Sequence, residues 1–148
     1  MSTPLRFAIV RSRFNEEITQ GLLKGATDYL REKGLTEKDW DNFEAPGAFE
    51  APLIAKRLAQ TRKYAAVICL GCLIKGDTAH FEYISLGATV GIMNTMLETN
   101  TPIGFGIITV YDEAQAHTRA QANVHNKGRE AAAACFETLQ TLERIGRA

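Results

Sequence analysis

Residues 71–80, GCLIKGDTAH, carry much of the spacing of a nucleotide-binding turn. A P-loop needs Gly, four residues, Gly, Lys, then Ser or Thr. Gly71, Gly76 and Thr78 fit that frame, but Asp77 occupies the lysine position and Lys75 comes two places early. A carboxylate at that point repels terminal phosphates, so ATP is rejected and phosphate binding is kept. Thr78 can cap the helix that follows, whose outward N–H groups and positive dipole end form an anion cradle. The competing reading is a capped turn without chemistry. His80 follows two residues later, and imidazole is the side chain best suited to proton transfer near neutral pH. His117 and His125 read as structural or solvated.

Three further stretches bear on the same chemistry. Phe14 is an apolar ring in the polar run SRFNE, where it can pack under the next helix or stack on a planar heterocycle. In APGAFEAP, Pro46 and Gly47 make a turn that delivers Ala48, Phe49 and Glu50 to the start of a helix. Glu50 can cap that helix or accept hydrogen bonds from ligand hydroxyls. Arg119 and Lys127, in the stretch HTRAQANVHNKG, are either solvated cations or the counter-charge of a phosphate pocket.

These residues need a frame, and the chain supplies one in which β-rich and helical stretches alternate. RFAIV is the first strand. A helix follows from about Glu16 to Lys33, with Ile18, Leu22, Ala26 and Tyr29/Leu30 on one face and Gly34 as its stop. WDNFEA is a weaker strand before PGAFEAPLIAKRLAQ. YAAVICL lacks polar alternation, as expected of a strand covered on both faces. A helix is expected over about Thr78–Asn100, then the strand IGFGIITV. Asp112 is a good N-cap for a short helix through Ala122, and NKGREAAAACFETLQTLERI forms the last helix. Such alternation predicts an α/β fold: a three-layer sandwich with a four-stranded parallel sheet, flavodoxin-like. Ligands of open α/β sheets sit beyond the carboxyl ends of the strands. The unusual residues all fall there, in four loops expected to share one rim.

Bulk properties narrow the class. The 148 residues suit one domain spanning the chain, and 17 basic against 17 acidic residues leave no general electrostatic grip on nucleic acid or an anionic membrane. No apolar run approaches the roughly 18 residues of a spanning helix. The first residues do not read as a secretory signal, so a cytoplasmic protein is expected. Cys69 and Cys72 have the spacing of a redox or metal pair, but Cys69 lies within an apolar run and no second pair exists. Buried thiols are the expectation, and no metal site.

Taken together, SRFNEEI, APGAFEAPLIAKRLA, residues 70–83 and HNKGREAA resemble the lumazine synthase family, in family order and over about Phe7 to Leu142. The resemblance implies condensation of 5-amino-6-(D-ribitylamino)uracil with 3,4-dihydroxy-2-butanone 4-phosphate, releasing phosphate and water, in riboflavin biosynthesis. It implies no metal or organic cofactor. By the same resemblance Phe14 stacks on the pyrimidine, and Ala48, Phe49 and Glu50 hold the ring and its ribityl chain. Cys72, Leu73 and Ile74 add main-chain contacts. Asp77 and Thr78 bind the phosphate with Arg119 as counter-charge, and His80 transfers protons. Phe105 resembles a phenylalanine supplied by a neighbouring subunit, with Lys127 and Glu130 lining the pocket. Lys75 stands for a more usual arginine, and Asp77 adds a negative charge beside the phosphate. The resemblance also implies a homo-oligomer with active sites between subunits: a pentamer or a pair of pentamers, with a 60-subunit shell as a further form. The half-dozen residues before Phe7 are too few for the extra strand that helps build such shells. The alternative reading is a flavin- or lumazine-binding module of the same fold without catalysis.

Overall fold

The computed structural model describes residues 5–146. Strands β1 (Phe7–Ser12), β2 (Trp40–Ala45), β3 (Ala66–Ile74) and β4 (Ile103–Val110) form one parallel sheet in the order β2-β1-β3-β4. Helices α1 (Glu16–Glu32), α2 (Ala51–Gln60), α3 (His80–Thr99), α4 (Glu113–Arg119) and α5 (Lys127–Ile145) cover it. The result is the expected flavodoxin-like α/β sandwich.

Side chains alternate across a strand, so each strand feeds two cores. Phe7 and Ile9 of β1 join Leu22, Leu30, Leu70 and Cys135 on one face, under α1 and α5. Ala8 and Val10 join Ala55, Cys69, Ala88 and Ile92 on the other, under α2 and α3. β1 is buried at all six positions.

The crossover from β1 leads one way, to β2, and those from β2 and β3 lead the other way, leaving a crevice beyond the ends of β1 and β3. On the α1 side, α1 and α5 meet at glycines. A Cβ built on Gly128 of α5 would lie 1.9 Å from the Leu22 carbonyl oxygen, and one on Gly25 would lie 2.0 Å from Asn126 Oδ1. Asn126 is buried, donates to the carbonyls of Gly21 and Gln121, and accepts from Arg129 N as the α5 N-cap. Arg129 in turn grips Glu32 with both ends of its guanidinium.

Several boundaries differ from the sequence reading. β3 continues past Leu70 to Ile74, because Gly71–Ile74 pair with Ile107–Val110 of β4. Gly71 is a strand residue there, with Ser12 Oγ only 3.0 Å from where its Cβ would sit. α3 starts at His80, not Thr78, and α4 stops at Arg119, not Ala122. The end of α4 presses on α1, the Ala120 carbonyl oxygen lying 2.6 Å from a Cβ placed on Gly21. Among the described residues no helix is long and apolar enough to cross a membrane. Most of the segment preceding Phe7, on which the shell expectation rests, lies outside the described residues.

Gly128→Ala should destabilise the protein by about 3 kcal/mol, at the upper end of overpacking costs, since two helix backbones must separate. Urea unfolding at fixed protein concentration measures this, and Gln140→Gly at an exposed position of α5 should lower the midpoint far less.

Candidate functional site

The four loops do meet at one rim. Asn15 adopts the left-handed conformation (φ 58°, ψ 54°) at the N-cap of α1 and donates its side-chain amide to the Cys72 carbonyl at 3.0 Å. This ties the loop after β1 to the end of β3. Arg13 N donates to the Ala45 carbonyl at 2.9 Å, tying the same loop to the end of β2. Lys75 N donates to the Val110 carbonyl at 2.9 Å, and the rings of Phe81 and Tyr111 lie 6.5 Å apart, joining the third and fourth loops.

Phe14 is not packed beneath α1. Its ring is 68% exposed, and its edge lies 3.0 Å from the position a Gly47 Cβ would take. A side chain at Gly47 would have to push that ring aside. Glu50 Oε1 lies 3.3 Å from the same point. Glu50 occupies the N-cap position of α2, yet its carboxylate makes no capping bond. Its oxygens are left for another partner. Ala48 is buried, while Phe49 leans onto α3, with its ring 3.1 Å from a Cβ placed on Gly87. The Cys72 carbonyl is engaged by Asn15, and Leu73 and Ile74 are half-buried at the end of β3.

Between β3 and α3, residues 76–79 are exposed. Their four main-chain N–H groups make no hydrogen bond to any described acceptor. Thr78 Oγ1 accepts from His80 N at 3.3 Å, but Ala79 holds the N-cap position and no side chain caps α3, so Thr78 is not the cap the sequence led us to expect. Lys75 does not point at this loop's open N–H groups. Its ammonium pairs with Glu82 at 2.5 Å and lies 5.6 Å over the Phe81 ring. The Lys75 hydrogen bond holds the Glu82 carboxyl below the usual range. His80 is exposed at the start of α3.

The remaining residues lie elsewhere. Phe105 is opposite Cys69 in the β3–β4 register, five residues before Val110. At about 3.3 Å per residue that is roughly 16 Å from the rim. Phe105, Lys127 and Glu130 line a groove between α5, edge strand β4 and the end of α3. Lys127 pairs with Glu130 at 3.0 Å. Arg119 donates to the Gln115 carbonyl at 3.1 Å, within its own helix, and no hydrogen bond or ion pair joins it to residues 76–78 among the described residues. Within one chain these four residues are therefore not part of the rim.

Cys69 and Cys72 are three apart in a strand, an odd spacing, so they enter opposite cores. They cannot ligate together. Burial pushes the Cys72 thiol up to about 11 and Cys135 to about 12. Among the described residues no group of three His, Cys, Asp or Glu could hold a metal ion. The sequence reading found Gly47 as a turn residue but missed Asn15, Arg11 and Tyr111 at the rim. An Asn immediately before a helical stretch was a readable cap signal for the first. The others carry no local signal.

Fold and site define an open-sheet α/β protein with its candidate site at the point where strand order reverses. Residues 4–143 match the model of the 6,7-dimethyl-8-ribityllumazine synthase family. Similar proteins include 6,7-dimethyl-8-ribityllumazine synthase 1 of Caulobacter vibrioides, 56% identical over 96% of this chain and 93% of that one. Others are 6,7-dimethyl-8-ribityllumazine synthases of Nitratidesulfovibrio vulgaris (44% identical; 95% and 90% covered) and Deinococcus radiodurans (43%; 97% and 92%). The chain belongs to the 6,7-dimethyl-8-ribityllumazine synthase family.

Replacing Asn15 separates its two contributions. Asn15→Gly keeps the left-handed turn and loses one hydrogen bond, costing about 1 kcal/mol. Asn15→Ala adds a backbone penalty of about 1 kcal/mol. Urea midpoints should therefore fall in the order wild type, Asn15→Gly, Asn15→Ala.

Proposed function

We propose that this chain, acting as one folded domain, condenses 5-amino-6-(D-ribitylamino)uracil with 3,4-dihydroxy-2-butanone 4-phosphate to form 6,7-dimethyl-8-ribityllumazine. It is a transferase of riboflavin biosynthesis. The observation that carries this reading is the grouping of an exposed ring at Phe14, an uncapped carboxylate at Glu50, four unengaged N–H groups over residues 76–79, and His80 at one rim.

Each part has a role. Phe14 stacks on the pyrimidine, and Ala48, Phe49 and Glu50 hold the ring and its ribityl hydroxyls. Main-chain groups of Cys72, Leu73 and Ile74 border the ring. The amine nucleophile belongs to the substrate, so no protein nucleophile is needed. The N–H groups around Asp77 and Thr78 receive the phosphate, with the Asp77 carboxylate turned to solvent. His80 carries protons between amine, carbonyl and leaving oxygen. Holding two reactants in contact contributes roughly 7–11 kcal/mol in favourable cases.

The rest of the site is supplied by a neighbouring copy. Phe105 covers the ring, Arg119 neutralises the phosphate, and Lys127 and Glu130 close the pocket. α3 favours such an assembly. Its apolar residues are not confined to the buried face, and Leu86, Val90, Met93 and Leu97 are exposed in the single chain. A homopentamer, or a pair of pentamers, in the cytoplasm is the form proposed, with a 60-subunit shell as a larger one.

Mixing the purified protein with both substrates should yield a fluorescent lumazine. Tight flavin binding without product would instead favour a binding module. His80→Ala should lower kcat by about 10²-fold without abolishing it, because a positioned acid–base is one contribution beside proximity. Arg119→Ser should remove nearly all turnover at ordinary phosphate-substrate concentrations, measured by the same fluorescence.

A further inference from the structure

Arg11 is the one charged residue that the fold buries among the described residues, and the proposed reaction makes no use of it. Its side chain is 8% exposed. Nη1 donates to Thr19 Oγ1 at 3.1 Å, and Nη2 lies 3.0 Å from Glu44 Oε2 and 3.5 Å from Glu16 Oε1. The Thr19 hydroxyl donates onward to the Glu16 carbonyl at 3.2 Å. One planar guanidinium therefore joins β1, the first turn of α1 and the end of β2.

Stability alone does not call for this arrangement. Phe7 and Ile9 precede Arg11 on the same face, and an apolar residue of similar volume would bury there without desolvating a charge. A guanidinium supplies directional bonds at fixed angles. Those bonds hold residues that lie close in sequence to both walls of the ring seat. Glu16 follows Phe14 by two residues. Glu44 is paired with Arg11 in the β1–β2 register and precedes the Pro46–Gly47 turn by two. Beyond these two glutamates, the edge of the Phe14 ring lies 3.0 Å from where a Gly47 Cβ would sit.

We propose that Arg11 is a positioning residue for the heterocyclic substrate: by holding the start of α1 and the end of β2 to one guanidinium, it sets the gap between Phe14 and the Gly47–Glu50 turn. This rests on the substrate reading given above. The phosphate loop, residues 76–79, hangs between β3 and α3 and has no hydrogen bond or ion pair to this cluster among the described residues. Arg11 therefore acts on one substrate and not on the other.

The test is steady-state kinetics with each substrate varied in turn. Arg11→Met should raise KM for the pyrimidine roughly 10-fold, the scale of a sub-ångström misplacement, with kcat and the KM for the butanone phosphate unchanged. Arg11→Lys, which retains one donor group, should fall between Met and wild type. Glu44→Gln should shift the pyrimidine KM in the same direction by less, and should add nothing in the Arg11→Met background. A pyrimidine KM that does not move in a folded variant, or two KM values that rise together, would overturn the proposal. If Arg11→Met fails to fold by circular dichroism, Glu44→Gln decides alone by the same criterion. Absence of product from the unmutated protein would overturn both readings; product with an unmoved pyrimidine KM would overturn only the role of Arg11.

Discussion

The rim is organised by a hydrogen bond across the place where the sheet reverses its winding. Chains leaving β1 and β3 must diverge there, which opens a crevice and leaves strand-end carbonyls without partners. Asn15 answers both demands. It is among the few non-glycine residues that tolerate a left-handed backbone, so it turns the chain into α1 while sending its amide back to the Cys72 carbonyl. Phe14, one residue earlier, is thereby turned outward against Gly47. Arg13 N, donating to the Ala45 carbonyl, fixes the other side of the same loop.

The charges at this rim divide by depth. Arg11, below the loops, is desolvated and must be paired, so its bonds carry directional information. Lys75 and Glu82 are partly solvated and close the ends of the 76–79 loop without touching its open N–H groups. That explains how Asp77 can stand beside a proposed phosphate seat: the main-chain dipoles are available whatever the side chain does. It also explains why lysine suffices where arginine is more usual, since an ion pair with Glu82 needs only a point charge.

A single chain holds Phe105 about 16 Å along β4 from the rim, and Arg119 is engaged by its own helix. The exposed apolar residues of α3 and the distance of Phe105 from the rim are the two features that support the proposed assembly of copies.

Alternation of apolar strands with amphipathic helices was enough to define the α/β sandwich, because each pattern reports a burial that one element achieves by itself. β4 begins and ends where its apolar run does. The motifs at strand ends likewise gave the family, and with it the residues of the rim. Extension of β3 to Ile74 was not legible, since Gly71 reads locally as a breaker and becomes a strand residue only through pairing with β4. The opposed sulfurs of Cys69 and Cys72 followed from the same extension. The distance of Phe105 from the rim, the approach of Phe14 to Gly47 and the burial of Arg11 were decided by tertiary structure alone. Each depends on the distance between segments far apart in the chain, and local periodicity carries no information about that distance.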